Sequence, residues 1–521
     1  MQEINIFEII FNIFKERNLD TINLSNIPQP ETLFGLKEAS KIIKDGIVDN
    51  KKIAVVGDYD VDGISASCIM EYFFKEIGFD NFTIKIPNRF NDGYGINTNI
   101  IKEIDADIFI TVDNGISAFE VANLCKEMDK ILIITDHHKP LIVDNDEVLP
   151  NALIINPNQK ACNFLQKEIC GALIAWYLCA GIKKELNANV NLSKLSCFLA
   201  LAIIADMMPL VSINRAIFKL GLKEIKHSNI AAFKVIRNRY NINSQNIGFV
   251  IAPILNSVGR LRDANLALDF FRQKDENKAN EIFENLININ NERKNIQNDI
   301  FLKAKNNIKK GENILIAFGK DWHEGVLGIV ASRLADEFNI SSFCLSLQNG
   351  ILKGSGRSRN GVNLIASVQF CKDYLLCFGG HSGAVGLSLE SKNLELFMQK
   401  LDKNCIIDST IEDNTSIEID LGSIDLDLLQ LLESYEPYGM ANEQIEFCSS
   451  NLKVESVQKI GKNKEHQILR FSQNGDSISG ILFNNTNDFL DKLVDITFFI
   501  QRDRMTSNAQ LLINNLNIVN N

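Results

Sequence analysis

Val55-Val56-Gly57-Asp58-Tyr59-Asp60-Val61-Asp62-Gly63 is the stretch on which the reading of this chain turns. A short apolar run, Ile53 to Val56, reads as a buried strand, and it runs into three aspartates at alternating positions. In an extended chain every second side chain points to the same side. Three unpaired carboxylates on one side repel strongly in a low-dielectric setting. A hard divalent cation relieves that repulsion, because oxygen ligands suit magnesium or manganese. A solvated acidic turn is the plainer fate of an Asp-Gly cluster, so the surrounding chain has to decide.

From Lys52 onward strands and helices alternate. Apolar strand candidates are Ile53–Val56, Phe82–Ile86, Ile108–Val112, Ile131–Thr135 and Leu153–Asn156, with helical candidates at Ser65–Ile77, Asn97–Ile104 and Ala118–Met128. Strand, helix, strand in series predicts a parallel sheet wrapped by helices, with its site beyond the carboxyl ends of the strands. The acids sit at those ends. Asp58, Asp60 and Asp62 follow the first strand, Asp113 follows Ile108–Val112, and Asp136, His137 and His138 follow Ile131–Thr135. Three separate strands thus deliver carboxylate or imidazole to one edge, which favours the metal reading. Carboxylates dominate, so manganese or magnesium is favoured over zinc. Leu199–Ala205 is an apolar helix ending at Asp206. That could be a plain helix terminus before Pro209, but burying an unpaired carboxylate is costly, and a ligand is the better reading.

The later chain carries basic and glycine-rich motifs. Ser257-Val258-Gly259-Arg260-Leu261-Arg262 offers two guanidinium groups that either grip phosphate or form surface ion pairs. Residues 275–310 are charged and free of proline and glycine until the end, with apolar positions at helical spacing, and read as a long, largely exposed connecting helix. A second α/β unit starts at Ile314–Phe318. It contains Gly354-Ser355-Gly356-Arg357-Ser358 and Phe378-Gly379-Gly380-His381-Ser382-Gly383, two glycine-rich turns that would let backbone N–H groups approach an anion. Beyond Glu436-Pro437 short β-like runs suggest a small barrel, whose Lys459, Lys462, Lys464, Arg470, Arg502 and Arg504 form either a nucleic-acid face or a solvated one. The expected division is residues 1–45 helical, 46–265 the first α/β domain, 266–310 the connecting helix, 311–435 the second α/β domain and 436–521 the barrel.

Composition bounds the class. The 521 residues exceed one core, and 45% apolar with 23% charged residues is ordinary for a globular protein. No apolar run reaches the length of a membrane span, and no basic start or cleavage site marks a signal peptide. Eleven scattered cysteines without a Cys-x-x-Cys pair argue against a disulfide framework or zinc knuckle and for a reducing cytoplasm. The net charge of −11 does not exclude nucleic acid, because a local basic groove can act within an acidic protein.

These residues also carry a resemblance. Asp58-Tyr59-Asp60-Val61-Asp62-Gly63, Val112-Asp113-Asn114-Gly115, Asp136-His137-His138 and Asp206 resemble the ordered motifs of the DHH phosphoesterase superfamily. Asn88-Arg89-Phe90-Asn91-Asp92-Gly93-Tyr94-Gly95, Ser257–Leu261, Trp322–Val326, Gly354–Ser358 and Gly379-Gly380-His381 resemble its RecJ single-strand-specific exonucleases in particular. The resemblance implies a DHH domain and a DHH-associated domain facing across a groove, joined by a long helix, and an oligonucleotide-binding barrel. It implies 5′→3′ release of mononucleotides from single-stranded DNA with two Mn²⁺ or Mg²⁺ ions, in recombination and repair. Asp60, Asp62, Asp113, His137 and Asp206 are then the main ligands, with Asp58, Asp136 and His138 supporting them or holding the scissile phosphate. Arg89, Ser355 and Arg357 match positions for the 5′-terminal phosphate, and Arg260 and His381 for the neighbouring backbone. A helicase and a single-strand-binding protein are implied as partners. A DHH phosphodiesterase of short oligoribonucleotides or cyclic dinucleotides, and a non-catalytic DNA-binding scaffold, are the alternatives. Two departures stand out. Ala441-Asn442-Glu443 occupies the place where the family usually has Gly-Asn-Pro, and the extra C-terminal domain of longer members is expected to be absent.

Overall fold

The computed structural model describes residues 6–19, 22–408, 416–461, 463–503 and 505–519. Two helices lead in, α1 (Ile6–Glu16) and α2 (Leu36–Val48). The first sheet is built on β1 (Ile53–Val56), which pairs in parallel with β2 (Phe82–Lys85) on one side and β3 (Ile108–Val112) on the other. Next to β3 lies β4 (Ile131–Thr135). A hairpin of β5 (Leu141–Val143) and β6 (Asp146–Val148) stands apart before β7 (Leu153–Ile155) completes the edge. All four β1 residues are buried because both faces of the sheet are covered. Ile53 and Val55 face a core that includes α2, α3 (Val61–Glu76) and α6 (Gly171–Leu186). Ala54 and Val56 face a smaller core with α4 (Thr98–Glu103) and α5 (Phe119–Glu127).

The strand order is β2-β1-β3-β4-β7. The chain leaves β1 toward β2 and then crosses back to the far side for β3. The crevice between the carboxyl ends of β1 and β3 is therefore the topological switch point, where parallel sheets form their sites. Register brings the acids level there: Val56 sits opposite Thr111, and Val112 opposite Thr135. Two helices complete the part of this unit that matters to the site, α7 (Ser196–Ala205) and α8 (Ser212–His227).

The second unit has a six-stranded sheet whose parallel pair, Ile314–Lys320 with Ser341–Gln348, is joined by the helix Glu324–Phe338. The glycine-rich stretch at 354–357 is not a turn. It lies in the strand Ile351–Arg357, paired on both sides. A Cβ on Gly354 would lie 2.0 Å from the Cys344 carbonyl oxygen, so glycine here serves close strand packing rather than anion approach. Cys377–Gly380 is likewise a strand.

The connecting helix also departs from expectation. Asn265–Arg272 is a separate short helix, and the long one runs Glu276–Lys305, capped by Asp275, whose carboxylate accepts the Lys278 N–H at 2.9 Å. It is packed rather than largely exposed: Phe283, Leu286, Phe301 and Ala304 are buried in the core that also takes Leu315, Ala317 and Val326 from the second unit.

Five strands close the barrel. Phe447–Ile460 pairs with His466–Gln473 and with Leu493–Arg502, while Ala509–Ile518 joins Asp476–Leu482 to Leu493–Arg502. Its sheet also takes the short strand Ile417–Glu418, and its core takes Leu428, Leu429 and Leu432 from the helix Leu426–Ser434. The unit therefore reaches back before residue 436. α1 joins this same core through Ile10 and Phe14, whereas α2 belongs to the first unit, so residues 1–45 do not form one piece. Arg502 is bound in a fork to Glu433 at 2.8 and 2.6 Å and fits the solvated reading of the basic face. Lys462 and Arg504 lie outside the described residues.

The departure at Ala441 has a structural cost. Gly439 and Asn442 close a tight turn with reciprocal backbone bonds of 3.0 Å, which puts Ala441 at φ 59°. A left-handed alanine costs on the order of 1 kcal/mol. Ala441→Gly is expected to raise stability by about that amount, read as a higher thermal midpoint. An unchanged or lower midpoint would show that the alanine is not strained.

Candidate metal centre

The loop after β1 distributes its acids by backbone geometry. Asp58 is buried, and its Oδ1 accepts the Tyr59 N–H at 2.7 Å. Asp60 caps α3, its Oδ1 accepting the N–H groups of Asp62 at 2.9 Å and Gly63 at 3.1 Å. Asp62, in the first turn of α3, points to the start of α6, where it accepts the Gly171 N–H at 2.6 Å and the Ala172 N–H at 2.8 Å. The free N–H groups of a helix start stabilise a carboxylate. Gly171 also makes room for the next acid: a Cβ there would lie 2.5 Å from Asp113 Oδ1.

Asp113 leaves β3 at φ 64°, a left-handed turn that the Asn114 side chain braces. Asn114 Nδ2 donates to the Val56 and Val112 carbonyls at 3.0 and 2.9 Å, and its Oδ1 accepts the Ile96 N–H at 3.0 Å. Asn114 thus ties the ends of β1 and β3 to the loop that carries Arg89. His137, after β4, brings the set together. Its Nε2 lies 3.2 Å from Asp113 Oδ1, 3.5 Å from Asp206 Oδ2 and 3.9 Å from Asp62 Oδ2. Asp206 reaches this point from the C-terminal end of α7.

Three overlapping groups could each hold a cation: Asp62, His137 and Asp206; Asp58, Asp60 and Asp113; and Asp113, His137 and His138. The electrostatics favour one. Burial first, and then the neighbouring aspartates, push the Asp58, Asp113 and Asp206 carboxyls well above the usual carboxylate range. Burial also pushes Asp62 up and the His137 imidazole down, toward its neutral, ligating form. Asp113 Oδ1 and Asp206 Oδ2 are buried without a hydrogen-bond partner among the described residues. Oxygens left unsatisfied beside a neutral imidazole fit a divalent cation, and the oxygen-rich donor set suits Mn²⁺ or Mg²⁺.

Asp136 and His138 behave differently. Asp136 Oδ1 accepts from His138 Nδ1 at 2.7 Å, and its Oδ2 accepts the Ile116 N–H at 2.9 Å. Burial opposes the charge on Asp136, but the bond and field of His138 prevail and hold it below its ordinary value. Burial likewise opposes the charge on His138, and the Asp136 bond with the surrounding acids pushes it up to about 9. The Asp136 carboxylate thus occupies Nδ1 of His138 and favours its charged form.

Opposite the acids stands a group of arginines. Arg89 lies over the Tyr59 ring at 5.3 Å, Arg260 Nη1 reaches the Gly325 carbonyl at 3.4 Å, and Arg357 Nη1 donates to the Gly356 carbonyl at 2.8 Å. Burial first, then the fields of Arg89 and Arg293, bring Arg260 down to about 10. None of these arginines is in an ion pair among the described residues, whereas Arg262 is forked to Glu292 at 2.8 Å. The paired motif at 260–262 thus divides, one guanidinium facing the groove and one in a surface pair. His381, lowered by burial and by Arg357, is exposed beside them, and Ser355 is half-buried in the same strand as Arg357.

Arg293 was not expected. It sits on the long helix in an apolar row with Ile289, Ile296 and Ile300, and a charge in such a row is the signal that marks it. Its partners are neutral, Asn290 and Gln297. With Arg260 it lines a cavity of about 1170 Å³ that runs from Met207, beside Asp206, to Met440 and Phe499 of the barrel unit. Phe249 projects into it, 83% exposed.

Comparison with known proteins agrees with this architecture. Residues 52–203 match the DHH family N-terminal domain, 311–406 the DHHA1 domain and 415–515 the RecJ OB domain. A single-stranded-DNA-specific exonuclease RecJ of Haemophilus influenzae is 30% identical over 90% of this chain and 87% of its own length. The RecJ of Bacillus subtilis is 30% identical over 93% of this chain, which spans 64% of that relative. The crystal structure of Thermus thermophilus RecJ in complex with Mn²⁺ shares the fold, with a TM-score of 0.79 at 22% identity, covering 93% of this chain and 72% of that one. The chain belongs to the RecJ family of single-stranded-DNA-specific exonucleases.

Proposed function

We propose that this protein removes 5′-mononucleotides from single-stranded DNA in the 5′→3′ direction by two-metal phosphodiester hydrolysis. The observation that carries the reading is the pairing of opposites at the switch point: buried acids in excess of partners facing arginines that form no ion pair among the described residues. The first half calls for divalent cations and the second for phosphate. Asp58, Asp60, Asp62, Asp113, His137 and Asp206 would hold the ions. When bound, such ions supply nucleophilic water near neutral pH and neutralise charge on the phosphoryl oxygens.

The chain's own residues do the rest. Asp136 fixes the His138 ring through Nδ1 and favours its charged form, so that Nε2 donates to a phosphate oxygen as negative charge develops. Arg89, Ser355 and Arg357 grip a terminal 5′-phosphate, and a pocket that accepts a chain end sets the polarity. Arg260 and His381 hold the adjoining backbone. The cavity that runs from Ala205 and Met207, on either side of Asp206, toward the barrel favours a long strand over a dinucleotide. This reading places the protein in cytoplasmic recombination and repair, with a helicase and a single-strand-binding protein supplying the strand.

Asp113→Ala is expected to reduce Mn²⁺-dependent mononucleotide release to background while leaving DNA binding, followed by fluorescence anisotropy, largely intact. Normal turnover by that variant would refute the metal assignment. Arg357→Ala should cut the preference for phosphorylated over unphosphorylated 5′ ends roughly tenfold, the worth of one charged hydrogen bond. An unchanged preference counts against the pocket. Gly171→Ala presses a methyl group onto Asp113 and should weaken Mn²⁺ binding about tenfold in calorimetric titration, with the circular dichroism unchanged. Equal affinity would show that Asp113 does not need its present seat.

A further inference from the structure

One buried cation in the catalytic unit takes no part in the chemistry above. Arg215, on α8, is only 1% exposed. Its Nη1 donates to the Pro437 carbonyl at 3.0 Å, and its Nη2 donates to those of Tyr435 at 3.1 Å and Glu436 at 3.0 Å. One side chain of the catalytic unit thus holds three successive carbonyls in the segment that leads into the barrel strands. Only guanidinium offers enough donors in a fixed fork for this.

The same segment is held from its other side. Asn442 is fully buried, and its Nδ2 donates to the Tyr435 carbonyl at 3.0 Å and the Pro437 carbonyl at 2.9 Å. Its Oδ1 accepts from Arg17 Nη1 at 3.0 Å, and Phe14 stacks on Tyr435 with ring centroids 3.7 Å apart. The Leu210 N–H donates to the Met440 carbonyl at 2.7 Å, which seats the turn four residues past Asp206. Tyr438, Gly439 and Met440 then form the barrel-side wall of the cavity whose other wall holds Met207, Phe249 and Arg260.

We propose that Arg215, with Asn442, is a latch that fixes the barrel in line with the catalytic groove so that one strand engages both at once. Arg215 is a positioning residue for long strands. The inference rests on the exonuclease reading above. A strand already held at the groove meets the barrel as an intramolecular partner, and that gain is lost if the two surfaces cannot be reached together. A trinucleotide reaches only the acidic site and gains nothing from the barrel. Loosening the latch therefore weakens long substrates and spares short ones.

The test compares full-length wild type, Arg215→Met and Asn442→Ala with Mn²⁺ on a 5′-phosphorylated trinucleotide and on a strand of about 30 nucleotides. Both variants are expected to raise KM for the long strand about tenfold, with kcat on both substrates and KM for the trinucleotide within about twofold. Small-angle scattering should show a larger maximum dimension. Equal loss at both lengths, or no change at either, in a variant that keeps its circular dichroism, overturns the latch. Should Arg215→Met fail to fold, Asn442→Ala, on the barrel side of the contact, decides alone. Should wild type cleave neither substrate, the exonuclease reading fails by itself. The latch is then decided by anisotropy of the uncleaved long strand: about tenfold tighter binding by wild type supports it, and equal affinity overturns it.

Discussion

Asp58, Asp62, Asp113 and Asp206 share a pocket in which burial and mutual repulsion raise every carboxyl. Leaving such charges unpaired in a protein interior costs several kcal/mol each. The chain settles part of this locally. Asp62 is met by two N–H groups of α6, and Asp136 by His138. Among the described residues Asp113 and Asp206 keep buried oxygens without hydrogen-bond partners, which a bound cation would satisfy. The parallel sheet order, the left-handed Asp113, the absent Cβ at Gly171 and the Asn114 brace all serve to hold the acids where they repel.

The rest of the molecule answers with the opposite charge. The second unit, the long helix and the loop after β2 bring Arg357, Arg293 and Arg89 around Arg260, which stands on the helix Ala252–Leu261 of the first unit. Burial, and then the neighbouring cations, disfavour the charge on Arg260. An extended polyanion threaded between cations and guanidinium groups relieves both clusters. The net charge of −11 hides this separation, since it sums over faces that never meet.

Much of the centre was legible from residues alone. Short apolar runs closing on Asp58, Asp113 and Asp136 are unmistakable because a strand buried on both faces has no polar positions of its own. What escaped depends on contacts far apart in the chain. Gly354 looks the same in a phosphate-binding turn as in a strand pressed against Cys344, and only the sheet tells them apart. The leucines of Leu426–Ser434 and the aromatic face of α1 gave no sign that both belong to the barrel core. Arg293 was hidden by the polar composition of its helix, although its place among isoleucines marked it.

Two cations at the acid cluster are what the whole arrangement requires. Anomalous diffraction at the manganese edge from crystals grown with Mn²⁺ tests this most directly. Two anomalous peaks are expected, one touching Asp62, His137 and Asp206 and the other touching Asp58, Asp60 and Asp113. A single peak, or none among these residues while the protein remains folded, would contradict this.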